Sequence, residues 1–215
     1  MSEKKKALIA GVVIMAVLLI GIFYLSYLGL REDPDQVDEL KENADEYLDD
    51  KYNENIEIVD TLNDNTGVFG VFRYAAIAEE EDGFRFLIYR HNKTKNYQDS
   101  YVAEKWGNEL EDFLEPKIEE LYGEDTLKEL WLTYPKDIGY QLQIDHTDVP
   151  TVKGQDAKPI IRVTLNRGEI DEDEQLLDEL ITSMENELEV PGGHISINYS
   201  DSALIFKDES LKKDF

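Results

Sequence analysis

Three histidines, His91, His146 and His194, are the residues best suited to hold a metal in this cysteine-free chain. Each falls near the end of a strand-like run, where side chains from neighbouring segments converge. His146 sits in "DHTD", flanked by Asp145 and Asp148, a mixture of nitrogen and oxygen donors of the kind that binds zinc. The spacing opposes that chemistry, because there is no H-E-x-x-H and no H-x-H. No metal ligand is assigned.

Oxygen-rich stretches raise calcium next. "DTLNDNTG", Asp60 to Gly67, gathers Asp60, Asn63, Asp64 and Asn65. A calcium loop of the EF-hand kind needs oxygen donors at fixed positions and a distal glutamate. Counting from Asp60, the third position is Leu62 and the twelfth is Val71, so the stretch reads as turn chemistry instead. Glu79-Glu80-Glu81-Asp82 likewise reads as a charged hairpin tip.

Catalytic motifs are missing. The chain has no G-x-S-x-G elbow and no glycine-rich phosphate loop. Ser196, Ser200 and Ser202 near His194 form no recognisable nucleophile arrangement. Hydrolysis by two carboxylates depends on burial and separation, and 48 acidic residues offer too many pairs to choose among. No catalytic residue is assigned and no cofactor is expected. Among the aromatic residues, Trp106 lies at core spacing on a helix. Tyr97 and Tyr101, at the start of the same helix, are the candidate interaction edge, since tyrosine is favoured at interfaces.

What must position these residues begins with "ALIAGVVIMAVLLIGIFYLSYLGL", Ala7 to Leu30, which contains no charge. As a helix its 24 residues would extend about 36 Å, enough to cross a bilayer core of about 30 Å. Lys4, Lys5 and Lys6 before it favour a cytoplasmic N-terminus. A cleaved signal would have a shorter apolar region closed by small residues, and "YLSYLGL" supplies bulky ones. The expectation is a permanent single-pass anchor, with everything after Leu30 outside the cell membrane.

Residues 1–30 carry three lysines and one glutamate of the chain's 22 basic and 48 acidic residues. The remainder therefore holds 19 basic and 47 acidic residues, a net charge of −28. Such a surface repels nucleic acid and anionic headgroups, and it keeps an exported domain soluble. Without cysteine, stability must come from packing, a composition that fits a bacterial envelope protein.

Periodicity then gives the elements. Asp33-Pro34 starts an amphipathic helix to about Asp50. "IEIVDTL", "VFGVFRYAAIA" and "FRFLIYR" read as a three-stranded meander joined by "NDNTG" and "EEEDG". A helix spans about Tyr101 to Leu121, with Pro116 expected to kink or split it. "LKELWLTYP", "IGYQLQID", "PIIRVTLN", "HISINYS" and "ALIFKD" read as strands. A helix covers about Asp171 to Glu189, and "ESLKKDF" reads as a frayed end.

The resulting fold class is α+β: an N-terminal transmembrane helix, then an extracytoplasmic antiparallel or mixed sheet with helices on one face. The boundaries are a cytoplasmic tail at 1–6, the span at 7–30, a juxtamembrane helix at 31–53, and two similar α+β units at 54–135 and 136–215. The functional expectation is a membrane-tethered binding or protein-interaction module of the bacterial cell envelope. Its partners would be the membrane and another envelope protein or wall component, with no nucleic acid. The alternative is an extracytoplasmic hydrolase using carboxylates or a bound metal.

Overall fold

The computed structural model describes residues 34–52, 55–200 and 210–215, and the architecture is α+β with two four-stranded sheets. The Ala7–Leu30 run and "ALIFKD" lie outside these residues. Among the described residues no helix is long and apolar enough to cross a membrane.

Helix α1 (Pro34–Lys51) begins at the proline marked by the sequence. Its Leu40, Ala44 and Leu48 recur at one face and are buried. They pack on one side of the first sheet, against Ala76, Ala78, Phe86 and Ile88. The helix is therefore part of the domain. That sheet runs β1 (Ile56–Asn63), β2 (Tyr74–Glu80), β3 (Arg85–Arg90) and β4 (Tyr97–Asp99), in that order and antiparallel throughout. The fourth strand lies in "HNKTKNYQDS", which composition marks only as a polar link.

"VFGVF", the first half of an expected strand, is instead loop. The Asp64 carboxylate accepts from the backbone N–H groups of Val68 and Phe69, both at 2.9 Å. Gly70 takes a positive φ of 69°, which ordinary side chains resist. The loop then folds back to lay Phe69 and Phe72 beside Tyr89 on the face of the sheet opposite α1. Its apolar residues cover a sheet face without joining the sheet.

Helix α2 (Tyr101–Tyr122) buries Trp106, Leu110, Leu114 and Ile118 in the largest core. Pro116 does not split it. Both Pro116 and Asp112, whose carbonyl the proline cannot serve, are exposed, so water can satisfy that group. Helix α2 packs on β5 (Leu127–Thr133) and on α4 (Asp173–Glu187), and it also touches β3, so it spans both sheets.

The second sheet runs β5, β6 (Ile160–Leu165), β7 (His194–Tyr199) and β8 (Ser210–Asp214). Strands β6 and β7 are parallel, joined across α4, while the outer pairs are antiparallel. The two halves share a strand–helix–strand order but not a topology. The β3–α2–β5 passage changes sheets, whereas β6–α4–β7 returns to the same one.

Two further expectations are corrected. "IGYQLQID" forms helix α3 (Ile138–Leu142), followed by a 3-10 turn at His146–Asp148. The chain must turn tightly here against α2: a Cβ at Gly139 would come within 2.8 Å of Val102. "ESLKKDF" contains β8. Leu211 and Phe215 pack on the core, Lys213 pairs with Asp178 on α4, and Phe215 exchanges backbone hydrogen bonds with Gly193.

The start of α4 is held by a buried ion pair. Arg167 donates from Nη1 to Asp173 Oδ2 at 2.8 Å and from Nη2 to Oδ1 at 2.5 Å. The carboxylate also accepts from the Ile170 N–H at 3.0 Å. Burial pushes the Asp173 carboxyl up, but its bonds to Arg167 and Ile170 outweigh this and hold it below its ordinary value. A depressed carboxylate stabilises the fold above its unfolded pKa, about 3.9, and that contribution is lost as pH falls through the folded value. Arg167→Ala leaves the buried carboxylate uncompensated and should cost about 3 kcal/mol or more in urea unfolding at neutral pH. Wild-type stability should fall steeply only below about pH 4.

Candidate functional site

The most heavily committed polar group outside that pair is Asp99, at the end of β4, whose side chain is only 4% exposed. One carboxylate oxygen accepts from the Tyr101 N–H at 3.1 Å, at the N-terminus of α2. The other accepts from Tyr47 Oη and Lys51 Nζ, both at 2.5 Å and both from α1. Tyr140 of α3 reaches the same oxygen at 3.4 Å and bonds Tyr47 Oη directly. Four segments thus meet at one carboxylate.

Aromatic rings surround the ammonium group. Lys51 Nζ lies 5.0 Å from the Tyr140 ring centroid, 5.4 Å from Tyr52 and 5.6 Å from Tyr47. Burial would lower the Lys51 pKa, but the charge and hydrogen bond of Asp99 outweigh it and hold the group above its ordinary value. Burial, followed by Asp99, drives the Tyr47 hydroxyl far up, so it stays protonated. A cavity of about 180 Å³ opens beside the cluster, with Val102, Ile144 and His146 in its wall.

The chemistry available here is that of a clamp. The three donors of Lys51 face Asp99, Tyr47 and Tyr140, and Asp99 has its best lone pairs filled. A general base needs a free lone pair within reach of a substrate proton; Oδ2 of Asp99 is taken up by Tyr47, Lys51 and Tyr140, while Oδ1 accepts from the Tyr101 N–H.

The three histidines are far apart in role. His91 is buried, accepts at Nδ1 from the Lys93 and Thr94 N–H groups, and lies 3.6 Å from Asp137. His146 packs its ring 4.3 Å from Tyr52, with Asp145 at 3.3 Å. His194 pairs with Asp214 at 2.7 Å on the surface. Among the described residues no group of three or more His, Asp or Glu side chains is placed to hold a metal. Asp64 and Asp82 both serve turns, Asp82 accepting from the Phe84 N–H at 3.0 Å.

Tyr97 is half-buried beside α1, lining a shallow cavity of about 170 Å³ with Arg73 and Arg90. Tyr101 packs edge-on against Phe84 and Phe86. Both rings are half-buried and pack against the same apolar cluster beneath α1. The outer face of the second sheet is exposed at Arg162 and Lys212, half-buried at Trp131 and buried at Ser196. Trp131, Arg162, Ser196 and Lys212 lie in register across β5–β8, and Ile160 on the next row is 49% exposed. Trp131 belongs to none of the core clusters. Strict alternation in "PIIRVTLN", with Ile161, Val163 and Leu165 inward, was the sequence signal that Ile160 and Arg162 face out.

Asp99→Asn should loosen α1 by leaving Lys51 without a counter-charge, at a cost of about 1.5–3 kcal/mol in thermal or urea melts. Because the Lys51 pKa is raised, its contribution is complete below the unfolded value near 10.4 and is lost as pH rises through the folded one. Melts between pH 7 and 11 should therefore show the wild type losing this advantage over Asp99→Asn only above about pH 10. No protein-family model, no curated protein and no solved structure matches this chain.

Proposed function

We propose that this chain is a membrane-tethered extracytoplasmic interaction module of the bacterial cell envelope. The reading rests first on the uncharged run Ala7–Leu30 behind Lys4–Lys6, which suits an anchor with its N-terminus inside. Pro34, where α1 begins, follows that run by three residues. A helix packed into the domain and tied to Asp99 would hold the domain close to the bilayer without a long flexible linker.

The observation that carries an interaction role is the outer face of the second sheet. A tryptophan, an arginine and an exposed isoleucine stand together there, and these are residue types that supply binding energy at interfaces. The hydrolase alternative calls for two carboxylates at one cavity, and the cavity that His146 lines holds one, Asp99, already bonded to Tyr47 and Lys51.

Crosslinking and affinity capture from native membranes, with the full chain as bait, should recover one reproducible envelope partner. Capture should survive exchange of residues 7–30 for an unrelated membrane helix and disappear when the residues after Leu30 are deleted. Loss on exchanging the anchor alone would place recognition in the membrane and contradict the reading.

A further inference from the structure

His91 is a buried titratable residue beneath an exposed turn. It is 7% exposed, whereas Asn92 to Asn96 all face solvent. Its Nδ1 accepts from the backbone N–H groups of Lys93 at 3.1 Å and Thr94 at 3.2 Å. An accepting ring nitrogen carries no proton, so the ring proton sits on Nε2, which lies 3.6 Å from the Asp137 carboxylate just before α3. The turn depends on these bonds, because Lys95 is held at a left-handed φ of 63° that a residue other than glycine resists. The turn in its own right holds the loop that roofs the first sheet. Asn92 donates its backbone N–H to the Val71 carbonyl at 2.7 Å and its side-chain Nδ2 to the Gly70 carbonyl at 3.2 Å. In that loop Phe69 stacks on Phe72, and Phe72 packs on Tyr89.

We infer that His91 is a proton-sensitive latch: acid opens the turn at 91–96 and releases the roofing loop from the sheet. A proton can occupy Nδ1 only when that nitrogen gives up both donors, since an N–H there would point at two others. Opening therefore takes up a proton, and it becomes easier as pH falls through the ordinary value of an exposed imidazole, about 6.5. The charged groups on the surrounding elements are Asp137 before α3, the Glu104–Lys136 pair joining α2 to that segment, Asp64 and Arg73 at the ends of the roofing loop, and Arg90, Lys93 and Lys95 on the strand and turn of His91 itself. Asp137 favours a charged ring, but it faces Nε2, which bears a proton in either form, and so relieves nothing at Nδ1. Lys93 and Lys95 oppose a charged ring beneath their own turn. Carboxylates ordinarily titrate near about 4 and lysine near about 10, so the interval from about pH 5 to about pH 7.5 belongs to imidazole. The latch lies wholly within the domain and is independent of the tether.

Native-state hydrogen exchange on the full chain in neutral detergent, stepped from about pH 7.5 to about pH 5, tests this. The Lys93 and Thr94 amides report release of the ring, and the Asn92 amide, bonded to Val71, reports release of the loop. After correction for intrinsic chemical exchange, their opening constants should be flat above about pH 6.5 and rise roughly tenfold per pH unit below it. Asparagine can accept from the same N–H groups without titrating. His91→Asn should therefore keep the turn closed and abolish the rise, with His146, His194 and Asp137 still present and an unchanged thermal melt near pH 7.5 confirming the fold. If that variant does not fold, the nitrogen shifts of the wild-type ring decide, because His91 must gain its Nδ1 proton in step with the rise. Opening constants independent of pH, a rise that persists in His91→Asn, or an Nδ1 proton gained while the turn stays closed would overturn the inference.

Discussion

Asp99 accepts hydrogen bonds from α1, from α3 and from the N-terminus of α2 while itself closing the last strand of the first sheet. A carboxylate removed from water is costly unless every lone pair is satisfied. That cost makes the arrangement selective: Asp99 is tolerable only when Lys51, Tyr47 and Tyr140 are all in place. The apolar contacts of Leu40, Ala44 and Leu48 bring α1 to the sheet, and Asp99 fixes its rotation and height there. In the proposed tethered arrangement, this one interaction decides whether the domain is a rigid extension of its anchor or hangs from it.

The rest of the architecture follows from helix α2. Its first turns touch the first sheet and the Asp99 cluster, and its later turns form the core under the second sheet. One long helix therefore serves two sheets of different topology, so the halves are coupled through a common core element. Charge takes no part in that core apart from the Arg167–Asp173 pair at α4. Apart from Asp64, Asp99 and Asp173 none of the described acids is buried, and the exposed ones solvate a domain with no disulfide to brace it.

Much of this was legible in the sequence, because most elements bury one face and so announce their period. Asp33-Pro34, the stripe Val102–Ile118 and the alternation of "PIIRVTLN" each located an element to within a few residues. The failures share a physical cause: residues were apolar or alternating for tertiary reasons. "VFGVF" is apolar because it roofs a sheet face, and "IGYQLQID" alternates although Gly139 must sit against Val102 in a helical turn. Strand β8 hid in a lysine-rich tail because Lys213 answers Asp178 across the fold. Asp99 was invisible for the same reason. Its side-chain partners are 41 to 52 positions distant, and the only local hint was an Asp-Ser pair just before a helix. The outward side of the second sheet could have been read from alternation alone, but the register that aligns Trp131 with Arg162 could not.

The central claim is that α1 belongs to the cooperative fold and is held there by Asp99. Native-state hydrogen exchange on the full chain tests it directly. The amides of the last two turns of α1, around Tyr47 to Lys51, should exchange with the same opening free energy as those of β2 and β3, and far faster in a chain carrying Asp99→Asn. Rapid exchange of α1 in the wild type, independent of the sheet and unaltered by that substitution, would contradict the account.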